Sequence, residues 1–331
     1  MQLFYNNVLP ILNDEKYYKS SYEAVQLGLE LCKSLNIPVD KTFNFYVYWI
    51  GKNITYKHKV LLKSYLATQD LNKTKLLIYS DTDLSGLFIE FKDFKNIEFH
   101  VFDVMKECED NILNLYPFKL QIKNHVANPE FESDFFRLLM LHKYGGVYLD
   151  FDVLLLRDFS PLSNYEYCYQ WGAEMNMING AVMSLHKKSA ITRDICIELI
   201  NSPFRPFKGS LQYANDLYVK IKLKHPELVI FPSTFFNTQW LYGRDIDGNF
   251  LNTNPFSKDS DKYLYEGCFA WHYHGAHMNA TIEEGSKFDI LDKMFDKILK
   301  EKLNFKLNKE YSDELRKLAK IYSDTSELKN L

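Results

Sequence analysis

Ser133-Asp134-Phe135-Phe136-Arg137, followed by Tyr144-Gly145-Gly146-Val147-Tyr148-Leu149-Asp150-Phe151-Asp152, reads as a helix, a glycine turn and a buried strand ending on two carboxylates. Asp150 and Asp152 are two apart, so on a regular strand they face the same way. Charges are seldom buried without a partner, so two acids at the end of an apolar strand imply a cation or a polar substrate nearby. In open α/β sheets, ligands gather outside the carboxyl ends of strands. Upstream, Asp134, Arg137, Leu138 and Leu141 recur at helical spacing, with Phe135 and Leu139 on a neighbouring apolar stripe. Asp134 and Arg137 are three apart and can reach one ligand or each other. Gly145 and Gly146 permit a tight turn into the strand.

Working outward, Thr42 to Ile50 predicts a first strand, with Phe43, Phe45, Val47 and Trp49 on one face and Gly51 ending it. A helix is expected over Tyr56 to Asp70, and strands over Lys75 to Tyr79 and Asn96 to Phe102. Strand alternating with helix is the pattern of a parallel α/β sheet. Past the two carboxylates, a strand is expected at Asn179 to Leu185, helices at Lys187 to Asn201 and Ser210 to Lys224, and short strands at Leu228 to Phe231 and Cys268 to His274. Residues 1–42 read as helical, on a stripe of Tyr22, Val25, Leu29 and Cys32. The tract Gly243 to Tyr263 reads as a loop, and Asp245 and Asp247 as loop acids with metal binding as the lesser reading. From Ser286 onward the chain is lysine-rich and amphipathic, with Phe288, Leu291, Phe295, Ile298 and Leu299 on one face. That face reads as packing on the domain, with a peripheral membrane contact as the alternative.

Composition sets bounds. The 331 residues suffice for one large α/β domain with additions, and 46% hydrophobic and 25% charged residues are ordinary for a globular chain. A net charge of -3 argues against a dedicated nucleic-acid binder. The 5 cysteines are scattered without a C-x-x-C pair, which reads as free thiols in a reducing compartment. Neither a signal peptide nor a run of apolar residues long enough to span a bilayer is visible, so a cytoplasmic protein, peripheral at the membrane in the alternative, is expected.

The string from Ser133 to Asp152 resembles the DXD region of sugar-nucleotide glycosyltransferases of the glycosyltransferase-A fold. It is most similar to the DXD sugar-transfer family of capsular polysaccharide and mannosyl transferases and to the catalytic domains of clostridial glucosylating toxins. S-D-x-x-R followed by G-G-x-Y-x-D-x-D is kept at every position. The resemblance implies an α/β fold, a Rossmann-like, mostly parallel sheet with helical additions at both ends. It also implies a division into an N-terminal helical extension (1–42), a catalytic domain (43–285) and a C-terminal helical tail (286–331). The implied activity is metal-dependent hexosyl transfer, with retention, from a nucleotide-sugar to a hydroxyl of a glycan, lipid-linked or protein acceptor. A UDP-sugar is favoured and GDP-mannose is the second choice.

By the same resemblance Asp152 binds Mn2+ or Mg2+, which take carboxylate oxygens and leave positions for substrate phosphates. Asp150 falls on the ribose or sugar side of the donor, and Asp134 and Arg137 grip sugar hydroxyls and the nucleotide. The bland reading of the last two is an intrahelical ion pair. Ser133 reads as the helix N-cap and as a nucleotide contact, and Tyr148 equally as donor-pocket lining or strand packing. Trp49-Ile50-Gly51 resembles an aromatic platform for the base with a close-approach glycine; packing is the competing reading for Trp49. Asn179-Gly180-Ala181, after Glu174 and Asn176, resembles the segment lining the reacting sugar and the acceptor, or a plain loop-to-strand turn. Late in the chain, His272, His274 and His277 cluster, which suggests metal or polar contact. His272 stands at the first position of an H-x-W-x-x-S-W motif from which this chain departs: His274 replaces the first Trp and His277-Met278 the Ser-Trp. A separate zinc site of the three histidines lacks a supporting Cys pair or H-E-x-x-H. Two further readings compete: a haloacid-dehalogenase-like phosphatase, whose D-x-D-x-[TV] fits Leu149 to Val153, and a catalytically silent sugar-nucleotide-binding module.

Overall fold

The alternation of strands and helices builds a seven-stranded, mostly parallel sheet in the order β3-β2-β1-β4-β7-β6-β8. A computed structural model describes residues 14–18, 22–117, 119–125, 127–171, 178–201, 210–237, 254–260, 267–275 and 279–303. The strands are β1 (Phe43–Trp49), β2 (Thr74–Ser80), β3 (Ile97–Val101), β4 (Gly146–Leu149), β5 (Val153–Leu155), β6 (Tyr167–Gln170), β7 (Ile178–Leu185), β8 (Val229–Phe231) and β9 (Ala270–His272). The helices are α1 (Tyr22–Ser34), α2 (Tyr56–Thr68), α3 (Val104–Cys108), α4 (Lys119–Lys123), α5 (Pro129–Tyr144), α6 (Ala190–Asn201), α7 (Ser210–Lys224) and α8 (Lys287–Leu303). Strands β3, β2, β1 and β4 run parallel, while β7 is antiparallel to both β4 and β6. Among the described residues, no helix is long and apolar enough to cross a membrane.

Strand β1 sits inside the sheet and is apolar on both faces, as a central parallel strand must be. Phe45 and Val47 face one core with α2 and α8, and Trp49 packs at its edge. Tyr46 and Tyr48 face a second core with Phe136 and Leu139 of α5. Helix α5 starts earlier than the sequence predicts. Asn128 is its N-cap, accepting the Glu130 N–H at 2.8 Å, and Pro129 fills the first turn. Ser133 therefore lies inside the helix and returns its hydroxyl to Glu130 O at 2.9 Å, so its reading as the cap is wrong. The helix ends at Gly145 (φ +70°), and Gly146 (φ +119°) enters β4, where a Cβ would stand 2.5 Å from Asn44 O. Both glycines are required by this turn.

A second departure matters more. β4 stops at Leu149, so Asp150 and Asp152 lie in a turn and not on a strand. Beyond it β5 leaves the main sheet and pairs antiparallel with β9, with Val153 opposite His272. Neither β5 nor β6 is expected from the sequence. The late strand is shorter than predicted: it ends at His272, and His274 follows with a left-handed backbone (φ 57°).

Helix α8 lays its apolar face on the domain: Phe288, Leu291, Phe295 and Leu299 are buried in the core shared with α2. A membrane contact through that face is therefore not available. Polar groups lock the same interface. The Lys63 ammonium, 2% exposed, pairs with Asp292 and with Asp296 (2.5 Å), while Tyr56 donates its hydroxyl to Asp292 at 2.6 Å. Burial pushes Lys63 down, but the two carboxylates outweigh it and hold it above the usual lysine range. Asp292→Asn should lower unfolding free energy by about 1.5–3 kcal/mol, the scale of a hydrogen bond to a charged group. Urea unfolding would show it; an unchanged midpoint would mean that Asp296 alone suffices.

Candidate active site

Helix α5 aims Arg137 into the end of β4. The guanidinium, 4% exposed, meets Asp134 Oδ1 at 2.9 Å and Asp150 Oδ1 at 3.1 Å, and lies 4.4 Å over the Tyr148 ring. Tyr148 donates its hydroxyl to the same Asp150 oxygen at 2.8 Å. Both bonds fall on Oδ1, so among the described residues Asp150 Oδ2 is left for a ligand. Gly180 makes room for this arrangement: a Cβ there would sit 2.3 Å from Arg137 Nη1. Asp134 keeps an open edge (18% of its side chain), yet withdrawal from water pushes its carboxyl up to about 6, with Arg137 acting against the shift.

The turn after β4 brings Asp152 beneath the late strand. Asp152 Oδ1 lies 3.2 Å from His272 Nε2, and His272 Nδ1 lies 2.8 Å from the Tyr169 hydroxyl. Burial raises the Asp152 carboxyl and lowers the His272 imidazole, but their mutual attraction prevails, leaving Asp152 below and His272 above its usual range. One ligand atom each from Asp150, Asp152 and His272 falls within 4.8 Å of the others. Two carboxylates and an imidazole suit Mn2+ or Mg2+ in oxygen-rich coordination completed by phosphate and water. Asp150 and Asp152 also line a cavity of about 410 Å³, together with Trp49, His58 and Tyr148.

Residues 49–175 match the family described as glycosyltransferase sugar-binding region containing DXD motif. That match, over this segment, is to DXD glycosyltransferases. An uncharacterized protein of Arabidopsis thaliana is 33% identical over 124 residues, 33% of this chain; the chain spans only 18% of that relative. Among solved structures, the PaToxG glycosyltransferase is similar at 20% identity and a TM-score of 0.44, over 62% of this chain and 80% of its own. The glycosyltransferase GlyE of Streptococcus pneumoniae is similar at 11% identity and a TM-score of 0.44, over 80% of this chain and 64% of its own. The family match takes in Leu149 to Val153 and its upstream helix, which displaces the phosphatase reading.

The expected residues of the glycosyltransferase site fall into three groups. Asp134, Arg137, Tyr148, Asp150, Asp152 and His272 form one contact network. Trp49 and Ser133 join the cavity wall. Trp49 also packs, 4.5 Å edge-on from His58 and 5.8 Å from Phe151, so it both lines the cavity and packs. Gly51 and Asn179 stand apart from the cavity lining. Gly51 has φ +78° and donates its N–H to Asp81 at 2.7 Å, and no described atom lies within 4 Å of a Cβ built there, so the turn itself requires the glycine. Asn179 accepts the Ala181 N–H at 2.6 Å, and Ala181 O accepts the Asp150 N–H at 2.8 Å, so it shapes the backbone beside the site. His274 turns to Asn237 (3.0 Å) and is pushed down to about 3 by burial and by His272 beside it. It is not among the clustered ligands; Glu174, Asn176, Asp245, Asp247 and His277 lie outside the described residues.

Sequence reasoning missed Tyr169 and His58. His58 accepts the Thr55 N–H on Nδ1 at 2.9 Å as the cap of α2, and burial lowers its imidazole to about 4. The Thr55-x-x-His58 spacing carries a capping signal. Nothing local in the chain points Tyr169 at the site.

Proposed function

We propose that the protein transfers a hexose from a nucleotide-sugar, a UDP-sugar before GDP-mannose, to an acceptor hydroxyl with retention of configuration, using Mn2+ or Mg2+. The observation that carries this reading is the convergence of Asp150, Asp152 and His272, with the two carboxylates lining the same cavity as Trp49. When bound, the ion would neutralise charge building on the departing diphosphate. Arg137 and Tyr148 hold Asp150 through one oxygen and leave the other to orient a sugar or ribose hydroxyl. Trp49 stacks on the base. Asp134 is tied to Arg137, and no carboxylate of the network is assigned as a covalent nucleophile. In the front-face route, the acceptor oxygen bonds to the anomeric carbon as the bond to phosphate breaks, and the leaving phosphate takes the acceptor proton. Retention rests on the likeness of the DXD string to retaining families. The glycosyltransferase-A fold, the 43–285 catalytic unit, a glycan, lipid-linked or protein acceptor and a reducing compartment belong to the same reading. Buried free thiols at Cys32, Cys108, Cys168, Cys196 and Cys268 support the last.

The test is hydrolysis of UDP-glucose, UDP-galactose, GDP-mannose and a generic phosphate ester with manganese and then with a chelator. Chelator-sensitive cleavage of one sugar nucleotide is expected; cleavage of the ester alone would overturn the reading. Trp49→Ala should weaken binding of the free nucleoside diphosphate by roughly 1–3 kcal/mol, the scale of one base–aromatic stack. Calorimetry decides this, since unchanged affinity together with lowered thermal stability would make Trp49 a packing residue only.

A further inference from the structure

We infer that Tyr169 is the positioning residue that sets which nitrogen of His272 faces the ion site; this rests on the metal reading above. Tyr169 lies on β6, is fully buried, and its hydroxyl is 2.8 Å from His272 Nδ1. The other nitrogen, Nε2, points to Asp152 at 3.2 Å. Three separate elements therefore form one file: β6, β9 and the turn after β4. A neutral imidazole carries a single proton. With that proton on Nε2, it is donated to Asp152, and Nδ1 accepts from the Tyr169 hydroxyl. To ligate through Nε2, the ring must carry its proton on Nδ1 and donate it to the Tyr169 oxygen. A hydroxyl serves in both states because it donates or accepts by rotating. A carboxylate would favour the second state alone, and an apolar group would support neither. Tyr169 thus keeps the ring seated without ion and turns it into a ligand with one.

The control lies in the same strand. Tyr167 is equally buried, and its hydroxyl has no partner among the described residues. Tyr169→Phe should weaken Mn2+ binding, measured by calorimetry without nucleotide, roughly 10- to 100-fold, as expected for loss of an outer partner of a ligating histidine. Tyr167→Phe should leave Mn2+ affinity unchanged. A folded Tyr169→Phe protein that binds Mn2+ like wild type would overturn the inference while leaving the metal site standing. Wild-type protein that binds neither Mn2+ nor Mg2+ would overturn both. Nitrogen-15 spectra of the histidine rings need no variant: with saturating Mg2+, His272 should carry its proton on Nδ1. A proton on Nε2 in that state would overturn the inference too.

Discussion

Asp152→Asn should abolish metal-dependent transfer and donor hydrolysis, by about a thousandfold or more, while the protein stays folded. The size follows from losing several kcal/mol of stabilisation of the leaving group at about 1.4 kcal/mol per decade. The fold should tolerate the change. Asp152 sits in a turn with 19% of its side chain exposed, and asparagine is nearly isosteric with it. Its backbone carbonyl, which accepts the Tyr273 N–H at 3.1 Å, is untouched. Circular dichroism with a manganese titration of turnover checks both halves. Wild-type turnover by a folded variant would remove Asp152 from the ion site.

Arg137→Ala should cost both activity and stability, about 3–5 kcal/mol near neutral pH, the scale for stripping the partner from buried charges. The partial exposure of Asp134 (18%) and Asp150 (31%) places the value toward the low end. The deficit should depend on pH in a definite sense. Asp134 is pushed up to about 6 by burial even with Arg137 opposing, and without the guanidinium it rises further. An acid whose folded pKa lies above its unfolded value binds its proton more tightly when folded. Its penalty is therefore full above the folded pKa and fades as pH falls through it. Urea midpoints of the variant and wild type should differ more at pH 8 than at pH 5. A gap that widens on acidification would contradict the assignment.

The parallel half of the sheet was legible because β1, β2 and β3 each carry an apolar run that ends at a polar or glycine signal, with helix α2 between the first two. The part of the network from Asp134 to Asp152 was legible because its members are close in sequence: Asp134 and Arg137 share a helix face, and Asp150 follows Tyr148 just past the end of β4. Errors arose where tertiary contact overrode local pattern. Nothing between Leu149 and Val153 is glycine or proline, so the turn that separates β4 from β5 left no mark. β6 is a four-residue strand, Tyr167 to Gln170, buried on both faces, so it has no alternation to read. The start of α5 was misplaced although Asn128-Pro129 carries a clear initiation signal, because Ser133 also fits a cap by residue type. Tyr169 meets the site only across the sheet, and no spacing in one chain discloses that.

The pairing of β5 with β9 also orders events in time. The DXD turn leaves the ribosome long before His272 does. At cellular synthesis speeds of roughly 5–20 residues per second, the delay is on the order of ten seconds. Throughout it the partners of Asp150, Arg137 and Tyr148, are already synthesised, whereas Asp152 waits for its imidazole. On the proposed assignment, the nascent chain therefore gathers its sheet first and gains a complete ion site last, so donor sugar is not consumed by an unfinished enzyme.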